Sequence, residues 1–207
     1  MKKTLVSIFL LLFITRAYPA DLKILGGLSL SRSTGPITRQ GGGYIYLPHP
    51  EFGAGFVAGG GVEFSLSRNV ALEADALFLQ KGSRIGYQLL TEHSMVRINE
   101  LSIPVLVKIL FTQGTSPYLL AGPEVAFVLT RPRLGYPPQT PYGSKTMDYG
   151  VVGGIGFQKR FRGFAVSVEA RYHHGLREMM SDELTQLDIG ILMKKMRVLV
   201  FVLGFSL

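Results

Sequence analysis

The sequence predicts an all-β chain: eight antiparallel strands closed into an up-and-down transmembrane barrel, with short periplasmic turns and four long extracellular loops. Three observations point there. Apolar residues alternate with glycine, serine and charged residues over about ten positions at a time, the period of two that a strand with unlike faces requires. The connections between these segments alternate between short and long. Apolar residues make up 47% of the chain and charged residues 17%, against the ~25% charge of soluble domains, yet after residue 20 no run reaches the ~18 apolar residues of a spanning helix.

The first segment reads as an address. Lys2 and Lys3 precede Leu5 to Ile14, ten nearly apolar residues, and small residues follow. This is the pattern of a secretory signal peptide, and it is too short for the ~20 residues of a spanning helix. Cleavage is open between Ala17 and Ala20, so the chain divides into a signal peptide at 1–20 and a barrel domain at 21–207. The formal charge of +8 shrinks once Lys2, Lys3 and Arg16 are set aside: 19 basic and 14 acidic residues leave +5. A surplus of that size does not call for nucleic acid.

The strands follow in order. Residues 22–31 alternate weakly. Residues 54–67 set Phe56, Val62, Phe64 and Leu66 against Gly59, Gly61, Glu63 and Ser65. Residues 70–81 oppose Val70, Leu72, Ala74 and Phe78 to Glu73, Asp75 and Lys81. Residues 97–111 oppose Leu101, Ile103, Val105, Val107 and Ile109 to Glu100, Ser102 and Lys108. Residues 117–130 place Leu119, Val125, Phe127 and Leu129 against Tyr118, Gly122 and Glu124. In 147–157, Tyr149, Val151, Ile155 and Phe157 face away from Asp148, Gly150, Gly154 and Gly156. In 163–175, Phe164, Val166, Val168, Ala170 and Tyr172 alternate with Ala165, Ser167, Glu169, Arg171 and His173. Leu199, Phe201, Leu203, Phe205 and Leu207 close the chain on one face. Short connections fall near 68–69, 112–116 and 159–163, and long ones cover 32–53, 82–96, 131–146 and 177–193. Four prolines within 131–141 mark a loop tip. Pro104 and Pro123, odd inside a sheet because each removes a ladder hydrogen bond, predict one shared defect, a bulge or short break, beside Glu124.

Composition decides which face points inward. With the apolar face inside, as in a soluble ligand-binding barrel, the outer wall would be glycine and serine with few charges, a poor soluble surface. Reversed, Phe, Leu, Ile and Val meet lipid, and closure satisfies every backbone donor and acceptor in hydrocarbon. The interior then carries Glu63, Glu73, Asp75, Glu100, Lys108, Glu124, Asp148, Glu169 and Arg171, with Lys81 and Arg97. Buried charges must be paired or wetted, and an eight-stranded barrel is about filled by its own side chains. An internal ion-pair plug is the expectation; a narrow conduit lined by the same groups is the alternative.

Chemistry of other kinds finds little support. The chain has no Cys, which excludes disulfides and thiolate sites. His173 and His174 are strand neighbours and point to opposite faces; with His49 and His93 they make no metal spacing. Ser181, Asp182 and Glu183 near them fit no catalytic motif, so no catalytic, cofactor or metal residue is assigned. Gly150 to Gly156 superficially matches a nucleotide loop, but no helix pattern follows it. The long-loop side is net basic. Arg84, Arg97, Arg131, Arg133, Lys145, Arg177, Lys194 and Lys195 form a candidate rim for lipopolysaccharide phosphates, alongside Arg32, Arg39 and Arg197. Tyr44, Tyr46, Tyr136, Tyr142, Tyr149 and Tyr172 are candidates for an aromatic girdle.

Three blocks, Leu101 to Lys108, Pro117 to Pro123 and Met147 to Gly156, are similar in order to the PorT-like family of outer-membrane β-barrel proteins. Leu72 to Gly82 and Val168 to Leu176 add to the resemblance, which covers about 55–207. The chain ends in Leu207, where such barrels usually end in an aromatic residue. The resemblance implies an eight-stranded, porin-like or surface barrel without assigned chemistry. The expectation is therefore a monomeric, non-enzymatic outer-membrane protein without cofactor. It would touch outer-membrane lipid and lipopolysaccharide, and a protein or small-molecule ligand would bind its loops. A narrow transport path and an accessory role in protein export are the alternatives, followed by an envelope-lipid enzyme and a soluble ligand-binding barrel.

Overall fold

A computed structural model describes residues 20–34, 49–86, 93–112, 115–130, 147–176 and 195–207. These form eight strands: β1 (Ala20–Thr34), β2 (His49–Ser65), β3 (Val70–Gly86), β4 (His93–Leu110), β5 (Thr115–Thr130), β6 (Met147–Arg160), β7 (Ala165–Gly175) and β8 (Lys195–Ser206). Each pairs antiparallel with the next, and β8 pairs with β1, from Lys23↔Ser206 to Thr34↔Lys195. The sheet is a closed barrel in sequence order. No helix occurs among the described residues.

The pleat sorts the side chains as the alternation predicts. Leu22, Ile24, Leu28, Phe56, Val107, Leu119, Ile155, Phe157, Val168, Phe201 and Leu203 stand exposed on the outer wall, while Glu73, Glu100, Lys108, Glu169 and Arg171 are almost wholly buried. The outer wall is thus the apolar one, the reverse of a soluble ligand-binding barrel.

At one end, connections 66–69, 111–114 and 161–164 are four residues each. Gly163 takes φ 87° there, a left-handed conformation that glycine adopts without a Cβ clash. Asn69 Nδ2 donates to the Leu110 carbonyl at 2.8 Å and lashes the first turn to β4. At the other end the connections are 35–48, 87–92, 131–146 and 176–194. The loop expected over 82–96 is mostly strand: Gly82 to Gly86 pair with Arg97 to His93. Strands of 17 and 18 residues exceed the ~9–11 needed to cross hydrocarbon, and the extra length rises on this side.

No register shift accompanies the proline pair. Pro104 pairs with Glu124, and the ladder resumes in phase at Val107↔Ala121. This is a short interruption of bridging and not a bulge. Pro104 is buried and Pro123 exposed, so the two rings face opposite sides of the wall. Register shifts fall elsewhere, between Asn99 and Glu100 and between Gly53 and Val57.

Candidate functional site in the barrel interior

The interior of the short-turn half is a web of ion pairs. Arg171 on β7 donates to Glu169 Oε2 and reaches across the barrel to Asp75 and Glu73 on β3, each at 2.6 Å. Lys23 on β1 sits 2.5 Å from Glu73, 3.5 Å from Glu169 and 3.8 Å from Glu63. On β4, Lys108 donates to Glu63 on β2 at 2.9 Å and to Gln158 on β6 at 2.6 Å. Its ammonium also lies 4.2 Å from the ring centroid of Tyr118 on β5, within the ~6 Å of a cation–π contact. The Tyr118 hydroxyl donates to Glu169 at 2.7 Å. Four carboxylates thus share three cations, and each cation meets at least one carboxylate, the condition for holding charge away from water.

Glycine makes the room. A Cβ on Gly156 would overlap the Tyr118 ring, and one on Gly61 would overlap the Asp75 carboxylate. Lys23 is flanked by Gly61 and Ser206 on its two neighbouring strands. Beside this web lies an apolar cluster of Leu25, Val57, Leu77, Leu79, Val198, Val200 and Val202.

Further toward the long connections a second cluster hugs the wall. Lys81 pairs with Glu100 on the adjacent strand, and Ser102 donates to Glu124 Oε1. His173 Nδ1 approaches the same oxygen at 2.9 Å. Asp148 lies in the same region, its Oδ1 accepting from the Tyr149 N–H at 2.8 Å. Serine, histidine and glutamate come together here without the relay of an acyl-transfer site. That relay needs the hydroxyl bonded to the imidazole, whereas both converge on one carboxylate oxygen. Among the described residues, no group of three or more His, Cys, Asp or Glu could hold a metal ion.

All nine charges assigned to the interior are buried, as is Lys81. Arg97 is not: it stands on the outer wall of β4, exposed, because its parity is that of Leu101 and Ile103. Sequence reasoning missed Lys23, whose strand alternates weakly, and gave no role to Gln158 or to Tyr118. The parity of Lys23 with Ser29 and Ser31, both buried, is the signal that could have found it. His173 is buried and its neighbour His174 lies on the opposite face. Of the rim residues, Arg84 and Arg97 belong to β3 and β4, and Lys195 opens β8. Arg131, Arg133, Lys145, Arg177 and Lys194 lie outside the described residues, as do Tyr44, Tyr46, Tyr136 and Tyr142. Tyr149 and Tyr172 are exposed on the outer wall. At the short-turn end the aromatic collar is phenylalanine: Phe161, Phe164 and Phe205 stack at 4.8 and 5.4 Å.

A closed eight-stranded barrel with an apolar outer wall and a charged interior defines an integral outer-membrane barrel protein. Residues 20–181 match the model of the outer membrane protein beta-barrel domain, and the chain belongs to that family. Among solved structures it is similar to the outer membrane protein OprG from Pseudomonas aeruginosa, at 14% identity and TM-score 0.58 over 91% of this chain and 95% of that one. Outer Membrane Protein W of E. coli is 13% identical, with TM-score 0.45 over 92% of this chain and 100% of that one. The attachment invasion locus protein Ail of Yersinia pestis is 13% identical, with TM-score 0.40 over 90% and 97%. No curated protein sequence matches significantly. The protein resides in the outer membrane.

Proposed function

We propose that the protein is a sealed, monomeric, non-enzymatic barrel whose rigid wall presents the connections 35–48, 87–92, 131–146 and 176–194 to the cell exterior, where a protein or small-molecule ligand binds. Residues 1–20 act as the export signal, and the short turns face the periplasm, as in bacterial outer-membrane barrels generally. One observation carries the sealed reading: Arg171, fully buried, joins β7 to the diametrically placed β3 through Glu73 and Asp75. A bolt across the full width supports a barrel closed at that level over a narrow porin-like path. The ordered blocks at 101–108, 117–123 and 147–156 support the narrower PorT-like membership, and with it an accessory role in export as the second reading. Basic residues around the long connections would meet lipopolysaccharide phosphates.

Planar bilayers test the sealed barrel. The purified, refolded protein, verified by a mobility shift between boiled and unboiled samples, is expected to give no steady conductance. A stable open channel whose conductance changes in Glu124→Gln or Lys108→Met would replace the sealed barrel with a conduit. Loss of a secreted product on deletion of the gene would favour the export role.

A further inference from the structure

On the outer wall where β1 meets β8, Arg32 is paired directly with Arg197. Both side chains are exposed on the lipid-facing side. Like charges placed opposite each other across two strands destabilise a sheet, and neither guanidinium meets a carboxylate among the described residues. Phe52 on β2 lies beneath Arg32, 5.8 Å from ring centroid to guanidinium. On the far side, His174 of β7 pairs with Arg197. Four neighbouring strands therefore carry one outward row: an aromatic ring, two guanidiniums and an imidazole.

The height of this row is set by what lies below it. The next outward pairs toward the short turns are Leu30↔Leu199, Leu28↔Phe201, Gly26↔Leu203 and Ile24↔Phe205. From Leu30 to Leu22 the wall is apolar or glycine for roughly 26 Å of strand at ~3.3 Å per residue, or ~20 Å of height at a ~40° tilt. Arginine is strongly disfavoured within hydrocarbon, so the Arg32–Arg197 row marks the headgroup level at the long-connection end.

We propose that Arg32 and Arg197 together clasp one phosphate monoester of an outer-leaflet lipid, with His174 at its edge. A tetrahedral phosphate offers a separate oxygen to each guanidinium, and its charge removes the cross-strand repulsion that the bare pair suffers. The occupant is the phosphate of lipopolysaccharide; the assignment rests on the orientation proposed above.

Binding of purified lipopolysaccharide, and of the same lipid stripped of phosphate, is measured on the full chain folded in micelles. Arg32→Gln and Arg197→Gln are each expected to weaken binding of the phosphorylated lipid about tenfold and to leave the stripped lipid unaffected. The double variant should bind little worse than either single one, because one phosphate spans both side chains. Inorganic phosphate should not displace the lipid. Unchanged affinity in the single variants, equal loss for the stripped lipid, or displacement by inorganic phosphate would each overturn the clasp. Arg131→Gln/Arg133→Gln serves as a separate probe: a loss there that Arg32→Gln lacks would assign lipid binding to the long connection instead. Orientation is read independently on intact cells. The chain has no Cys, so Thr140→Cys gives a single reporter for an impermeant maleimide. Failure to label would remove the outer-leaflet occupant even where the micelle result holds.

Discussion

In the short-turn half of the barrel, the charged contacts cross the interior. Arg171 spans from β7 to β3, Lys108 links β2 to β6, and Lys23 touches carboxylates on β2, β3 and β7. In the loop-side half they cling to the wall. Lys81 meets Glu100 on the next strand, Ser102 meets Glu124 on the next, and only His173 reaches over one strand to Glu124. The difference is one of what each cation holds apart. Removing Arg171 would leave three carboxylates, Glu73, Asp75 and Glu169, with Lys23 as the one cation paired directly with any of them. Removing Lys81 would take the paired cation from Glu100 alone, with Glu124 and Asp148 at longer range. The first arrangement braces the barrel across its width; the second runs along the inside of its wall.

Arg171→Met should therefore have the largest effect, about 3–5 kcal/mol of lost stability, read as a shift in the urea midpoint of the folded, heat-modifiable band in lipid vesicles. Lys81→Met should cost about 2 kcal/mol in the same assay. Equal losses in the two variants would erase the distinction between the halves. Tyr118→Phe removes the hydroxyl that donates to Glu169 while keeping the ring beneath Lys108, and a loss of about 1 kcal/mol is expected. A loss as large as that of Arg171→Met would make the tyrosine as central a brace as the arginine. Smallest is Asp21→Asn at the exposed mouth. Its partner Arg160 lies 3.3 Å away with half its side chain in solvent, and such pairs contribute roughly 0–1 kcal/mol. A midpoint indistinguishable from the parent is expected.

The same contrast explains which parts were legible beforehand. In β7, Glu169, Arg171 and His173 alternate cleanly with Val168, Ala170 and Tyr172, so their inward placement could be read directly. In β1 the neighbouring Gly26 and Gly27 blur the alternation, and Lys23 went unassigned although it joins three carboxylates. The upper parts of β3 and β4 were read as loop. Ser83, Arg84, Met95 and Arg97 bring polar and charged residues into these strand ends, and without an apolar face a strand has no period to detect. Arg97 was placed inside for the same reason. Two prolines near one ladder position predicted a bulge or a short break, and the pairing shows the break: it skips after Pro104↔Glu124 and resumes in phase at Val107↔Ala121, since each proline removes a ladder donor.

The amino-acid order alone determined that the chain is eight strands, which face meets lipid in the seven strands after β1, and that the interior must carry charge. These are consequences of a two-residue period acting within single strands, and each strand can be read without the others. Only the closed barrel decided which charges meet. Stagger between strands and the β1–β8 seam bring Lys23 to Glu73 and Glu169, Arg171 to Asp75, and Arg32 opposite Arg197. Those distances depend on how the whole sheet closes, a condition that no single strand encodes.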